Sequence, residues 1–212
     1  MSSKAVAAPE AHKSIVGGGR VAAPSWAVSL FNGSPEQRTS RSRFVCSGTL
    51  VAPDIVLTAE HCLIFWKEKG LNAAIGANQL SGNHTVEVVD SITTPGSLSG
   101  NQSFNWRDLA LLKLKTPVSN TPIKIAPANP SLQPKDIIIK YGYGSDSSDS
   151  LPGYLKSMTG LVQPDNNCYK AMTDFIDFKG MYEFENFTCF TGYREGATCY
   201  GDSGSPATVS IL

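Results

Sequence analysis

The chain has 212 residues, 41% of them hydrophobic and 17% charged, enough to bury the core of one large or two small globular domains. Its 18 basic and 18 acidic side chains cancel, so charge supplies no attraction to nucleic acid or to an anionic membrane surface. No apolar run approaches the roughly 20 residues of a membrane-spanning helix, and neither partner is expected.

In chain order, the opening MSSKAVAAPEAHKS carries no hydrophobic stretch of signal-peptide type, and residues 1–14 read as a propeptide-like or disordered segment ahead of the folded part. From there the apolar residues recur with a period of two. WAVSLF, RFVCSGTLVA, DIVLTA, HTVEVVDSI, LALLKLK and KDIIIKYGYG are short runs rich in Val, Ile and Leu, bounded by Gly, Pro, Asn and Ser. This predicts an all-β protein built from antiparallel barrels or sandwiches. Within it, QRTSRSRF, with Arg38, Arg41 and Arg43, reads as a solvated loop, as do SLSGNQSFNWR and GSDSSDSLPG. Thr116–Pro134 holds five prolines, which deny a central strand its N–H donors and predict an extended linker between two β units, 15–118 and 119–212. The one helical stretch expected is PDNNCYKAMTDF, where Asp165 or Asn166 caps a turn presenting Cys168 and Met172.

Five cysteines and four N-x-[ST] sequons, at Asn32, Asn83, Asn101 and Asn186, fit a secreted, disulfide-bonded glycoprotein. No cofactor is implied. His12, His61 and His84 lack ligand spacing with Cys or carboxylates, so no metal is expected either.

Three segments carry chemistry when taken together: LTAEHC with His61, NWRDLALLKL with Asp108, and CYGDSGSP with Ser203. A serine hydroxyl is a poor nucleophile until an imidazole takes its proton, and the imidazole needs a carboxylate to fix its tautomer and steady its cation. With IVGGG at Ile15, CSGTLVAPDIVLTAEHC, DLALLKL, YGYG and GDSGSP in this order, the chain from Ile15 onward resembles the chymotrypsin and trypsin family of serine proteases.

The resemblance implies two six-stranded antiparallel barrels, the second incomplete here, with a cleft between them. It implies His61 and Asp108 on the first barrel, Ser203 on the second, and the N–H groups of Gly201 and Ser203 as an oxyanion hole. Residues 1–14 become a propeptide-like segment, and the amine of Ile15, once liberated, pairs with Asp202. Here HKSIVGG departs from a simple cut after Lys13, because Ser14 would be left in front of Ile15. The implied disulfides are Cys46–Cys62 and Cys168–Cys189, which leaves Cys199 unpaired, its family partner lying in sequence beyond Leu212.

Ala197 and Thr198 fall at the specificity pocket. A neutral floor cannot pair with Lys or Arg, so apolar or small side chains are expected before the cut bond. Glu60 stands where the family has a small residue. It either turns to solvent or adds a second negative charge that raises the pKa of His61. The expected activity is that of a secreted, monomeric endopeptidase acting on proteins or peptides and open to protease inhibitors. The alternative is an impaired homologue that serves as a binding or inhibitory module.

Overall fold

Alternation of buried and exposed side chains sets the architecture. The computed structural model describes residues 18–33, 43–64, 66–80, 85–93, 108–126, 132–145, 151–164, 166–167, 170, 188–192 and 197–209. After a two-residue strand β1 (Gly19–Arg20) come β2 (Ala27–Asn32), β3 (Phe44–Ala52), β4 (Ile55–Thr58), β5 (Leu71–Ile75), β6 (Val86–Thr93) and β7 (Ala110–Leu114). Strands β2 to β7 close into an antiparallel barrel in the order β2-β3-β4-β7-β6-β5. In β7 the sequence ALLKL buries Ala110, Leu112 and Leu114 and leaves Leu111 and Lys113 outside, the period-two pattern of a strand with one face on a core. Val28, Leu30, Leu50, Val56 and Leu112 fill the barrel and are fully buried.

The remaining strands, β8 (Ile137–Gly142), β9 (Lys156–Val162), β10 (Phe190–Gly192) and β11 (Ala207–Thr208), form with β1 a second antiparallel sheet. Its order is β1-β9-β8-β11, with β10 also paired to β9, so among the described residues the second unit is a five-stranded sheet. Between barrel and sheet lies a second core, in which Ala27, Phe31, Phe44 and Ala74 from the outside of the barrel meet Tyr143 and Leu155. Phe44 packs edge-on against both Phe31 and Tyr143, and Trp26 against Tyr141. The Tyr143 hydroxyl, pushed to a higher pKa by burial, donates to the carbonyl of Ala77 at 2.5 Å.

The proline-rich stretch has no strand in its described part, 116–126 and 132–134, and is pinned to the barrel by Val118 N–H to Pro53 O and Ile123 N–H to Leu50 O. Of the expected helical stretch, Pro164 lies outside any helix, Asn166, Asn167 and Lys170 are helical, and the rest, with Cys168 and Met172, lies outside the described residues. Asn32 closes β2 half-buried, while Asn83, Asn101 and Asn186 also lie outside them, as do Arg38 and Arg41.

Because Leu112 is wholly enclosed in the barrel, Leu112→Ala should lower the unfolding free energy by about 2–5 kcal/mol, read from the shift of the urea midpoint at unchanged slope.

Candidate active site

His61 sits on a one-turn 3-10 helix, Glu60–Leu63, directly after β4. Asp108 lies two residues ahead of β7, and β4 and β7 are neighbours, with Thr58 opposite Ala110. That pairing brings the two side chains together. His61 Nδ1 is 2.6 Å from Asp108 Oδ2, and the His61 backbone N–H donates to Asp108 Oδ1 at 2.8 Å. Both carboxylate oxygens therefore grip one residue, which fixes the ring plane and assigns the Nδ1 proton to the Asp108 side.

The hydrogen bond that the His61 ring donates to Asp108 raises the pKa of His61 above 6.5, against a smaller opposing effect of burial, and the Asp108 charge adds to the rise. For Asp108 burial pushes upward. The His61 ring, the His61 backbone N–H and charge, and the Glu60 backbone N–H outweigh it and hold the carboxyl below its ordinary value.

Glu60 is only 6% exposed, which overturns the reading of a carboxylate turned to solvent. Burial raises its pKa, with a hydrogen bond to the Thr93 side chain opposing and the Asp108 charge reinforcing the rise. Its Oε2 is buried and has no hydrogen-bond partner among the described residues.

The disulfide Cys46–Cys62 ties this turn to β3, with 6.1 Å between Cα atoms. His61 offers a ring nitrogen within 4.8 Å of both sulfurs, but cysteines bonded to each other provide no thiolates for a metal. Next to Cys46, Ser47 holds the turn that carries Ser203. The Ser47 N–H donates to Ser203 O and the Ser47 hydroxyl to Gly201 O, both at 2.9 Å. Thr58 Oγ1 in turn donates to Ser47 O at 2.9 Å.

Two glycines are forced at this turn. Gly201 has φ +91°, and a Cβ there would lie 2.4 Å from the Phe44 ring. Gly204 has φ +75°, and its Cβ would lie 2.1 Å from Thr58 Oγ1 and 2.9 Å from the Ala59 nitrogen, two residues before His61. The Ser203 turn thus rests on the segment that leads into His61. Asp202, 2% exposed, accepts hydrogen bonds from the N–H groups of Gly144 and Cys199, each at 2.9 Å.

Ser203 and Thr198 line one pocket of about 500 Å³ with Lys140, Cys199, Tyr200, Asp202 and Gly204. Ala197 is exposed and is not among its lining residues. Cys189 is disulfide-bonded, its expected partner Cys168 lies outside the described residues, and Cys199 is a half-buried free thiol. Ile15 also lies outside them. Sequence reasoning did not single out Ser47, Lys140 or Lys156. The alternation Lys-Tyr-Gly-Tyr-Gly at 140–144 was the available signal for Lys140.

A family model described as Trypsin matches residues 15–210. A trypsin of Saccharopolyspora erythraea is 31% identical over 171 residues, covering 78% of this chain and 70% of that protein. Kallikrein-8 of Mus musculus is 25% identical over 189 residues, 85% of this chain and 65% of its own length. Among solved structures, neuropsin, a serine protease expressed in the limbic system of mouse brain, superposes with a TM-score of 0.72 at 25% identity, over 90% of this chain and 80% of that one.

Two measurements check the electrostatics. In an NMR titration His61 should titrate above 6.5, and Asp108→Asn should bring it down; an unchanged value in the variant would contradict the hydrogen bond. Glu60 has a folded pKa raised above its unfolded 4.5, so its contribution to stability is full below 4.5 and lost as pH rises through the raised value. Glu60→Gln should then raise the thermal midpoint near pH 7 while leaving it nearly unchanged near pH 4.

Proposed function

The chain belongs to the trypsin family of serine proteases, and on that footing we propose that it is a secreted serine endopeptidase working through His61, Asp108 and Ser203. The observation that carries the reading is the double grip of Asp108 on His61. With the Nδ1 proton directed at Asp108, Nε2 is left as the base.

In the proposed reaction Ser203 Oγ attacks a peptide carbonyl while His61 Nε2 takes its proton. The C–O bond forms as the carbonyl π electrons move to oxygen, where the N–H groups of Gly201 and Ser203 receive the charge. His61 then protonates the amine as the C–N bond breaks. Water, deprotonated by His61, attacks the acyl ester and frees the acid and Ser203. Asp108 stays ionised throughout and steadies the imidazolium, consistent with its lowered pKa.

Specificity is proposed to be non-tryptic. The positions Ala197 and Thr198 offer no acid to pair with Lys or Arg, and of the two Thr198 lines the pocket at Ser203.

A fluorophosphonate probe should label Ser203, and peptides with a small or apolar residue before the cut bond should be hydrolysed. Ser203→Ala should abolish both, and Asp108→Asn should lower kcat by about 10⁴ through the wrong tautomer. A folded chain that neither labels nor cleaves, and whose biological effect survives Ser203→Ala, would instead be a binding module.

A further inference from the structure

Ser47 faces outward from a barrel strand and is buried all the same. Cys46 and Leu50 belong to the barrel core, so the period of two turns Ser47 away from it, towards the second sheet, where it is 1% exposed. A hydroxyl placed there has to find its partners within the protein. It donates to Gly201 O at 2.9 Å and accepts from the Tyr143 N–H at 3.4 Å.

The turn it meets is held at each successive peptide. In a trans peptide the C=O and N–H point opposite ways, so a bond to the carbonyl also sets the direction of the N–H. The Gly201 N–H shares its peptide with Tyr200 O, which accepts from the Ser145 N–H at 2.8 Å. The Ser203 N–H shares its peptide with Asp202 O, which accepts from the Ser205 N–H at 3.1 Å. Between these two lies the peptide of Gly201 O and the Asp202 N–H. Its N–H donates to Cys199 O at 3.0 Å, and its carbonyl is the one that the Ser47 hydroxyl holds. Neither the Gly201 N–H nor the Ser203 N–H makes a hydrogen bond among the described residues, so both donors stand open.

Asp202 wedges the same turn from the other side. A Cβ on Gly142 would fall 1.9 Å from its Oδ1, and one on Gly144 2.6 Å from the same carboxylate, so the side chain fills a hollow that two absent side chains leave. Among the described residues Ser47 is the one side chain that donates to a carbonyl of residues 200–203.

We propose that Ser47 is a positioning residue for the oxyanion hole: its hydroxyl, set between Tyr143 and Gly201, fixes the peptide that joins the two open donors and so keeps both aimed at one oxygen. The inference rests on the proteolytic reading above and assigns that site a residue which never touches substrate. Its contribution is made where charge develops on the carbonyl oxygen, and therefore in the transition state rather than in substrate binding.

The test is steady-state hydrolysis of a peptide by Ser47→Ala, which removes the hydroxyl and keeps the backbone N–H, with rates counted per site titrated by fluorophosphonate. Outright loss of an oxyanion donor costs about 10²–10³ in kcat, and a donor turned aside keeps part of its effect, so kcat should fall about tenfold with KM unchanged. A peptide aldehyde, whose hemiacetal with Ser203 places its oxygen in the hole, should lose affinity by the same factor. The His61 titration should stay where it is, because Asp108 holds that ring independently of Ser47. Unchanged kcat and aldehyde affinity would overturn the inference, and so would a loss that falls on KM or moves the His61 titration as well. Should the Ala variant fail to fold, Ser47→Gly decides in its place: the same split at smaller size is expected, since a water can enter, and constants equal to the parent's would overturn the inference. A folded parent that neither labels nor cleaves would instead sink the proteolytic reading on which the inference stands.

Discussion

The site depends on one residue that does no chemistry. Ser47 on β3 uses its backbone N–H and its hydroxyl on two carbonyls of the turn that carries Ser203, while its own carbonyl takes a bond from Thr58. These bonds join residues 154 positions apart for the hydroxyl alone, and they are made across the seam between barrel and sheet. Each contributes about 1 kcal/mol net to stability. Their importance is geometric, since they register the serine against a histidine held by the neighbouring Cys46–Cys62 disulfide.

Electrostatics around that seam is arranged in two separate groups. On the barrel side, Asp108 and Glu60 both stand beside His61, and the backbone N–H donors go to Asp108. Asp108 is therefore the acid kept ionised and Glu60 the one pushed towards its neutral form, a division made by hydrogen bonding and burial rather than by residue type. On the sheet side, Asp202 has its own backbone donors and, near it, the charges of Lys140 and Lys156.

How much of this could be read from the chain varied with the source of the signal. Strand β7 was legible because ALLKL alternates, and β3 and β4 because they are rich in Val, Leu and Ile. Strand β5, LNAAI, was not: its alanines carry little strand preference, and they are in place because β2 and β6 flank them in the barrel. Strand β9, KSMTGLV, opens on a lysine that a surface reading would put in water and the fold buries completely. The meeting of His61 with Asp108 followed from chemical logic and family resemblance. The role of Ser47 could not, because its partners are fixed by the docking of two units and leave no local trace. Burial of Glu60 was likewise a matter of what packs over it.

The hollow under Asp202 bears on how such a site can change over generations. A side chain at Gly142 or Gly144 collides with the carboxylate, and loss of the carboxylate leaves a void beside two lysines. A side chain gained at either glycine must therefore be matched by a change at Asp202.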